Sequence, residues 1–249
     1  MDEMELLIDW HRDGERQGPG GDEQTRLALA LTGAELGSIR RVADIGCGTG
    51  ASTRVLAEEL DADIYAVDAL YPFCAALKQR PGPVAGRGRV YPLTASMTAL
   101  PFGEGAFDLI WSEGAIYNMG FASGVAAWRS LLRPGGFLAV SEITWLTNSR
   151  PAELEAFWNG EYAEMATASV KIGMLESSGY SVRGYFPLPR SCWLDNYYGP
   201  MKARREAFLE RHGHSAAARA LVAAEAEEIA MYEKYGDLYG YGFYVASRI

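Results

Sequence analysis

The chain has 249 residues, 49% hydrophobic and 22% charged, and a net charge of −9. The length fits one large α/β domain and the composition is that of an ordinary globular protein with ample core. An acidic balance argues against a nucleic-acid partner, which needs a basic face, and no run of about 18 apolar residues marks a membrane span.

The start, MDEMELLIDW, is acidic and lacks the basic opening of a signal peptide. Cys47, Cys74 and Cys192 show no paired spacing. Together these read as a cytoplasmic chain with reduced thiols. His212 and His214 have no Cys or Asp beside them, so they read as surface histidines and no metal is expected. The densest basic cluster, KARRE (202–206), reads as a solvated helix face.

Residues 3–10 have the pattern of a short amphipathic helix, followed by a polar, glycine-rich loop, RDGERQGPGGDEQ (12–24). Gly21 or Asp22 then caps EQTRLALALTGAEL, a helix with the apolar stripe Leu27, Leu31, Ala34. The chain alternates from there. RVADI is strand-like, TGASTRVLAEEL helical, DIYAVDA strand-like and FCAALKQR helical. GRVYPLT and FDLIWSE read as strands, ASGVAAWRSLL as a helix stopped by RPGG, and GFLAVSEI as a buried strand. Apolar strands alternating with helices predict a parallel sheet covered on both faces.

The pattern changes after Arg150. PAELEAFWNGEYAEM opens a helix with proline at its first position, and SVKIGMLESSGY is a helix closed by Gly179. SVRGYFPLP is strand-like, and CWLDNYYGPMKARREAFLERHG reads as a loop leading into a helix. A long alanine-rich helix, AAARALVAAEAEEIAMYEKYG, precedes a last strand, YGYGFYVASRI. Without an internal repeat or low-complexity linker, this is one domain with a helical insertion before its final strand.

The stretch VADIGCGTG (42–50) carries the chemistry. Glycines at a strand-to-helix junction let the backbone turn sharply and let a ligand approach the peptide plane, while N–H groups at the helix start face it. Asp44 beside them would repel a pyrophosphate and attract an ammonium group. That favours a nucleoside bearing an amino acid over a dinucleotide. Gly46-x-Gly48-x-x-Ala51 nevertheless satisfies the dinucleotide fingerprint as well, and Asp68, about twenty residues on, suits the ribose in either reading.

Three segments together resemble the class I S-adenosylmethionine-dependent methyltransferases: ADIGCGTG, TASMTALPFGEGAFDLIWS (94–112) and LLRPGGFLAVSE (131–142). They match in order and spacing over about residues 40–145. Four further stretches are similar to a bacterial group of small-molecule methyltransferases of undefined substrate: RQGPG (16–20), WSEGAIYNMGF (111–121), SEITW (141–145) and CWLDNYY (192–198).

The resemblance implies a Rossmann-like, doubly wound α/β fold: a mostly parallel seven-stranded sheet with an antiparallel last strand. Residues 1–249 would form one domain. Within it, 1–40 are N-terminal helices and a cofactor-covering loop, 41–145 the cofactor core, 146–240 an acceptor-side embellishment and 241–249 the last strand. The implied cofactor is S-adenosyl-L-methionine, with S-adenosyl-L-homocysteine as product. Asp44 would lie near its ammonium, Gly46, Cys47, Gly48 and Gly50 under its amino-acid part, and Asp68 on both ribose hydroxyls. Ala69 and Leu70 would flank adenine. Ser96 and Met97 stand where the family often has an aspartate that reads the adenine amino group, and Gln17 and Gly18 would fold over the cofactor. Glu113, Glu142 and Tyr117 are candidate bases or acceptor anchors, Glu113 being also a candidate cofactor contact, with His11 a further candidate base. Asn118, Trp145, Trp193, Tyr197 and Tyr198 are candidate walls of the acceptor pocket. The partner expected is a small-molecule acceptor. The rivals are an NAD-dependent oxidoreductase and a non-catalytic S-adenosylmethionine-binding protein.

Overall fold

A computed structural model describes residues 3–80 and 87–249. Seven strands lie side by side: β1 (Arg41–Ile45), β2 (Asp63–Asp68), β3 (Arg89–Thr94), β4 (Phe107–Glu113), β5 (Leu132–Trp145), β7 (Tyr180–Pro187) and β8 (Tyr239–Arg248). Their order is β3-β2-β1-β4-β5-β8-β7, and a two-residue β6 (Ala166–Thr167) pairs with the far end of β5. β1 to β5 run parallel; β8 runs antiparallel to β5 and β7. This is the doubly wound sheet with an antiparallel last strand that the resemblance implies. The apolar runs of β1 and β4 are buried because helices cover both faces. Strand order reverses between β1 and β4, which opens a crevice beyond their carboxyl ends, the usual ligand position in such sheets.

The helices are α1 (Glu3–Arg12), α2 (Asp22–Leu31), α3 (Ala51–Glu59), α4 (Tyr71–Gln79), α5 (Phe121–Arg129), α6 (Ala152–Glu161), α7 (Ala168–Ser177), α8 (Arg190–Trp193), α9 (Gly199–Arg211) and α10 (Ala216–Tyr235). Among the described residues none is long and apolar enough to cross a membrane.

Three local expectations change. α2 buries Thr25, Ala28 and Leu29, while Leu27 is exposed. Its inward face is half polar because Thr25 serves a carboxylate, so apolar periodicity misplaces the stripe. The RPGG segment belongs to β5, with a register shift between Phe107 and Leu109 on the neighbouring strand. The expected loop in CWLDNYYG is instead helical: Leu194–Tyr198 forms a π turn joining α8 to α9. Gly199 N–H donates five residues back to the Leu194 carbonyl. Pro200, which has no N–H, thereby falls in the first turn of α9, where none is needed.

That helical run builds an aromatic core. The Trp193 ring stacks on Tyr232 at 4.2 Å and on Tyr241 at 5.2 Å between centroids. Trp145 is buried nearby, with the Arg150 guanidinium 4.5 Å over its ring. Tyr198 is buried too, its hydroxyl donating to Glu228 at 2.6 Å. On the other side of the sheet, Lys171 of α7 and Glu142 of β5 are both fully buried and paired at 3.1 Å. Burial pushes the Glu142 carboxyl up and the Lys171 ammonium down, while their mutual attraction opposes both shifts.

Two stability outcomes follow from this packing. Trp193→Ala should cost about 3–5 kcal/mol, read by chemical denaturation; unchanged stability would remove Trp193 from the core. Lys171→Met alone should cost about 3–5 kcal/mol, because it strands a buried carboxylate. Lys171→Met with Glu142→Leu should recover most of that loss, and equal losses in the single and double variants would contradict the pairing.

Candidate active site

At the end of β1 the chain turns through Gly46, Gly48 and Gly50, all at positive φ: 74°, 54° and 91°. Gly46 N–H and Cys47 N–H both donate to the Val67 carbonyl at 2.8 and 3.0 Å, which pins the turn to β2. A Cβ at Gly46 would strike Ala115, and one at Gly48 would strike the Gln17 amide. The turn is therefore closed to side chains by contact as well as by conformation.

This turn floors a cavity of about 630 Å³, within the range of small-molecule sites. Asp68 ends β2 at its edge. One carboxylate oxygen accepts from Gly48 N–H at 3.0 Å and the other from Leu70 N–H at 2.8 Å. Burial nevertheless raises its pKa, these backbone donors opposing the rise. Cys47, Ala69, Leu70, Ser96 and Met97 also line the cavity. Ser96 Oγ is engaged with Thr98, and the Met97 carbonyl accepts from Trp128 Nε1 at 3.1 Å. All three cysteines are buried and free.

Asp44 does not line the cavity. It is fully buried behind the turn, where Oδ2 accepts from Ser52 Oγ at 2.9 Å and Thr53 Oγ1 at 2.6 Å. Oδ1 has no partner. Burial, opposed by those hydroxyls, pushes the Asp44 carboxyl up to about 7. Gly50 belongs to the turn but packs against Leu77 rather than facing the cavity.

The N-terminal loop roofs the cavity with Arg16, Gln17, Gly18 and Pro19. Gln17 fastens it: Oε1 accepts from Thr49 N–H at 2.8 Å, and Nε2 donates to Thr49 Oγ1 at 3.0 Å and to the Gly14 carbonyl at 3.1 Å. Glu113, at the end of β4, lines the cavity with both oxygens engaged. Oε1 accepts from Thr25 Oγ1 at 2.6 Å and Trp111 Nε1 at 3.0 Å, and Oε2 from Arg16 Nη1 at 3.1 Å. These bonds tie Glu113 to the roof loop, to α2 and to its own strand. Arg16 is shared with Asp22, which also binds Arg54.

The opposite end is built by Tyr117 and Asn118 of a short 3₁₀ turn (Ile116–Met119), by Tyr197 of the π turn, and by α1 and α10. Among the expected acceptor residues, Tyr117, Asn118 and Tyr197 line the cavity. Trp145, Trp193 and Tyr198 lie instead in the aromatic core, and Glu142 in its pair with Lys171. β5 runs on past Glu142 to Trp145, so Glu142 is interior to the strand rather than at its ligand edge. His11 lines the cavity; burial pushes its imidazole down to about 4.

Two lining residues, Glu225 and Glu228 of α10, escape a motif search. The readable signal was positional. Ala218, Val222, Ile229 and Tyr232 form the buried stripe of α10, and Glu225 occupies a place in that stripe. Burial raises both carboxyls, Glu225 to about 7. His212, far from the cavity, is bonded to Asp9 at 2.7 Å.

The family described as a methyltransferase domain matches residues 42–136. An O-methyltransferase of Penicillium expansum is 28% identical over 49% of this chain and 44% of its own length. The chloroplastic tocopherol O-methyltransferase of Arabidopsis thaliana is 30% identical over 54% of this chain and 38% of its own length. The matched stretches thus span less than half the length of these curated relatives. An S-adenosylmethionine-dependent methyltransferase from Geobacter sulfurreducens, solved with S-adenosyl-L-homocysteine, shares the fold at a TM-score of 0.81 and 17% identity, over 98% of both chains. The glycine turn, Asp44 and Asp68 all fall within the segment 42–136 that matches a methyltransferase domain, and the fold of the whole chain is the one shared with the Geobacter sulfurreducens protein.

Proposed function

We propose that the protein transfers a methyl group from S-adenosylmethionine to a small-molecule acceptor by in-line displacement. The observation that carries this reading is the glycine turn with Asp68 bonded to the Gly48 N–H at one edge of the cavity. The residues fit the cofactor. Asp68 offers two acceptor oxygens to a ribose diol, and the orphaned Oδ1 of Asp44 lies beneath the turn that would carry the ammonium, whose charge would favour the ionised carboxylate. When bound, the cofactor supplies a methyl group already activated on a sulfonium.

The chain's own part is alignment and exclusion of water. Gln17 and the Glu113–Arg16 bond hold the roof closed over the turn. Tyr117, Asn118 and Tyr197 wall the opposite end. The same charges disfavour a dinucleotide. Arg16 is the one Lys or Arg among the lining residues, and it is already committed to Glu113 and Asp22. A pyrophosphate would face Asp68 with no free cation. The segment SEGAIYNMGF also lacks the lysine of a Tyr-x-x-x-Lys pair.

S-adenosylhomocysteine should raise the melting temperature, with about 2.7 kcal/mol of stabilisation at a hundredfold excess over its Kd, and NAD should not. A shift with NAD alone would overturn the reading. Asp68→Ala should weaken S-adenosylhomocysteine at least about tenfold by calorimetry, since each bond to a charged acceptor contributes about 1.5–3 kcal/mol. Unchanged affinity would remove Asp68 from the ribose site. A screen of small acceptors reading S-adenosylhomocysteine release tests turnover itself.

A further inference from the structure

The part of the cavity lined by α1, α10 and the π turn has a marked chemical character. Glu225 and Glu228 lie one turn apart on the same face of α10, and both reach the cavity. Glu228 receives one hydrogen bond, from Tyr198. Glu225 receives none within hydrogen-bonding distance, and its Oε2 is buried without a partner. Its nearest basic group is His11 Nε2 at 3.8 Å, a ring that burial keeps neutral near pH 7. Among the described residues Arg16 is the one Lys or Arg that lines the cavity, and it is held by Glu113 and Asp22; the Arg204 guanidinium acts on His11 and Tyr197 from outside the lining.

A second, independent observation points to a ligand. Tyr197 is 9% exposed and lines the cavity, yet its hydroxyl has no hydrogen-bond partner among the described residues. Tyr117 adds an aromatic ring on the same wall. Buried carboxylates without counter-ions are costly, and aromatic rings beside them present negative faces. An anionic acceptor would meet only repulsion here. A neutral one would leave the charge of Glu225 uncompensated. A cation answers the carboxylates, the ring faces and the missing counter-ion together.

We propose that Glu225, Glu228, Tyr117 and Tyr197 form the recognition site for a cationic nitrogen, so that the methyl acceptor carries an amine or ammonium group; a nitrogen that is itself methylated first gives up a proton, to a carboxylate or to water, and its freed lone pair then displaces the thioether. The proposal rests on the methyl-transfer reading above for the word acceptor, but the cation site is testable by itself. The π turn carries Tyr197, which packs on Tyr198 in the aromatic core and also lines the cavity, while Trp193 and Tyr198 lie in the core alone.

The test uses the full chain saturated with S-adenosylhomocysteine, titrated calorimetrically with choline and with its uncharged isostere 3,3-dimethyl-1-butanol at millimolar concentrations. Choline should bind at least tenfold more tightly. Glu225→Gln should weaken choline at least tenfold, and the Glu225→Gln, Glu228→Gln pair should abolish its advantage over the isostere. Cofactor affinity in these variants should change less than about twofold, with the melting temperature showing an intact fold. Choline keeps its charge at every pH, so its pH dependence reports the protein. His11 is already neutral, and the phenols of Tyr117 and Tyr197, raised by burial, stay protonated. Glu225 and Glu228 remain as the titrating neighbours, and the ionised form binds the cation. Choline affinity should therefore rise as pH passes up through about 7. Equal binding of the two probes, no choline binding, or choline binding indifferent to Glu225→Gln each overturns the proposal. A loss of S-adenosylhomocysteine affinity in Glu225→Gln would also overturn it, by assigning the acids to the cofactor. Failure of the wild-type chain to bind S-adenosylhomocysteine is a separate result, which counts against the methyl-transfer reading.

Discussion

The hydrogen bonds converging on Glu113 hold the site together. This carboxylate stands where β4 ends, and its three donors come from the roof loop (Arg16), from α2 (Thr25) and from its own strand (Trp111). A charge in so enclosed a place is tolerable only when its oxygens are satisfied. Satisfying them draws the N-terminal segment across the sheet edge. Arg16 extends the connection through Asp22 to Arg54 on α3, the helix that follows the glycine turn. Floor and roof are thus parts of one network, and Gln17 closes it by bonding both the backbone and side chain of Thr49.

Two kinds of acid share the cavity. Glu113 and Asp68 are answered by protein donors and shape the cofactor end. Glu225 is unanswered, and Glu228 only in part. Carboxylates with saturated bonding serve as supports; one that lines a cavity with its bonding incomplete is a place where a ligand can gain free energy. The same contrast separates Glu142 from Glu225. Glu142 has Lys171 as a counter-ion inside the fold, whereas Glu225 has none.

Much of the cofactor half was legible in the sequence because its constraints are local. A turn that needs positive φ demands glycine within a few residues, and Gly46, Gly48 and Gly50 appear together. An acid about twenty residues after the glycines suits a ribose at the end of the second strand, and Asp68 ends β2. The acceptor half resisted for the opposite reason. Trp193 and Tyr197 are four residues apart in one aromatic run, yet one stacks in the core and the other faces the cavity. Composition cannot separate them; the phase of a π turn does. α2 misleads similarly, since its buried Thr25 is inward for a polar bond to a residue 88 positions away.

By itself, the sequence determined the alternation of strands and helices, the parallel sheet, the glycine turn and the two acids flanking it; the reversed last strand came from the resemblance. These depend on side-chain periodicity and on backbone conformations that few residues can adopt. Only the tertiary structure decided which carboxylates are supports and which are open. Glu113, Glu142 and Glu225 are chemically alike and differ in what the rest of the chain brings against them: three donors, one buried lysine, or nothing within hydrogen-bonding reach. Burial and partners are properties of the assembled neighbourhood, and a residue's own stretch of sequence does not contain them.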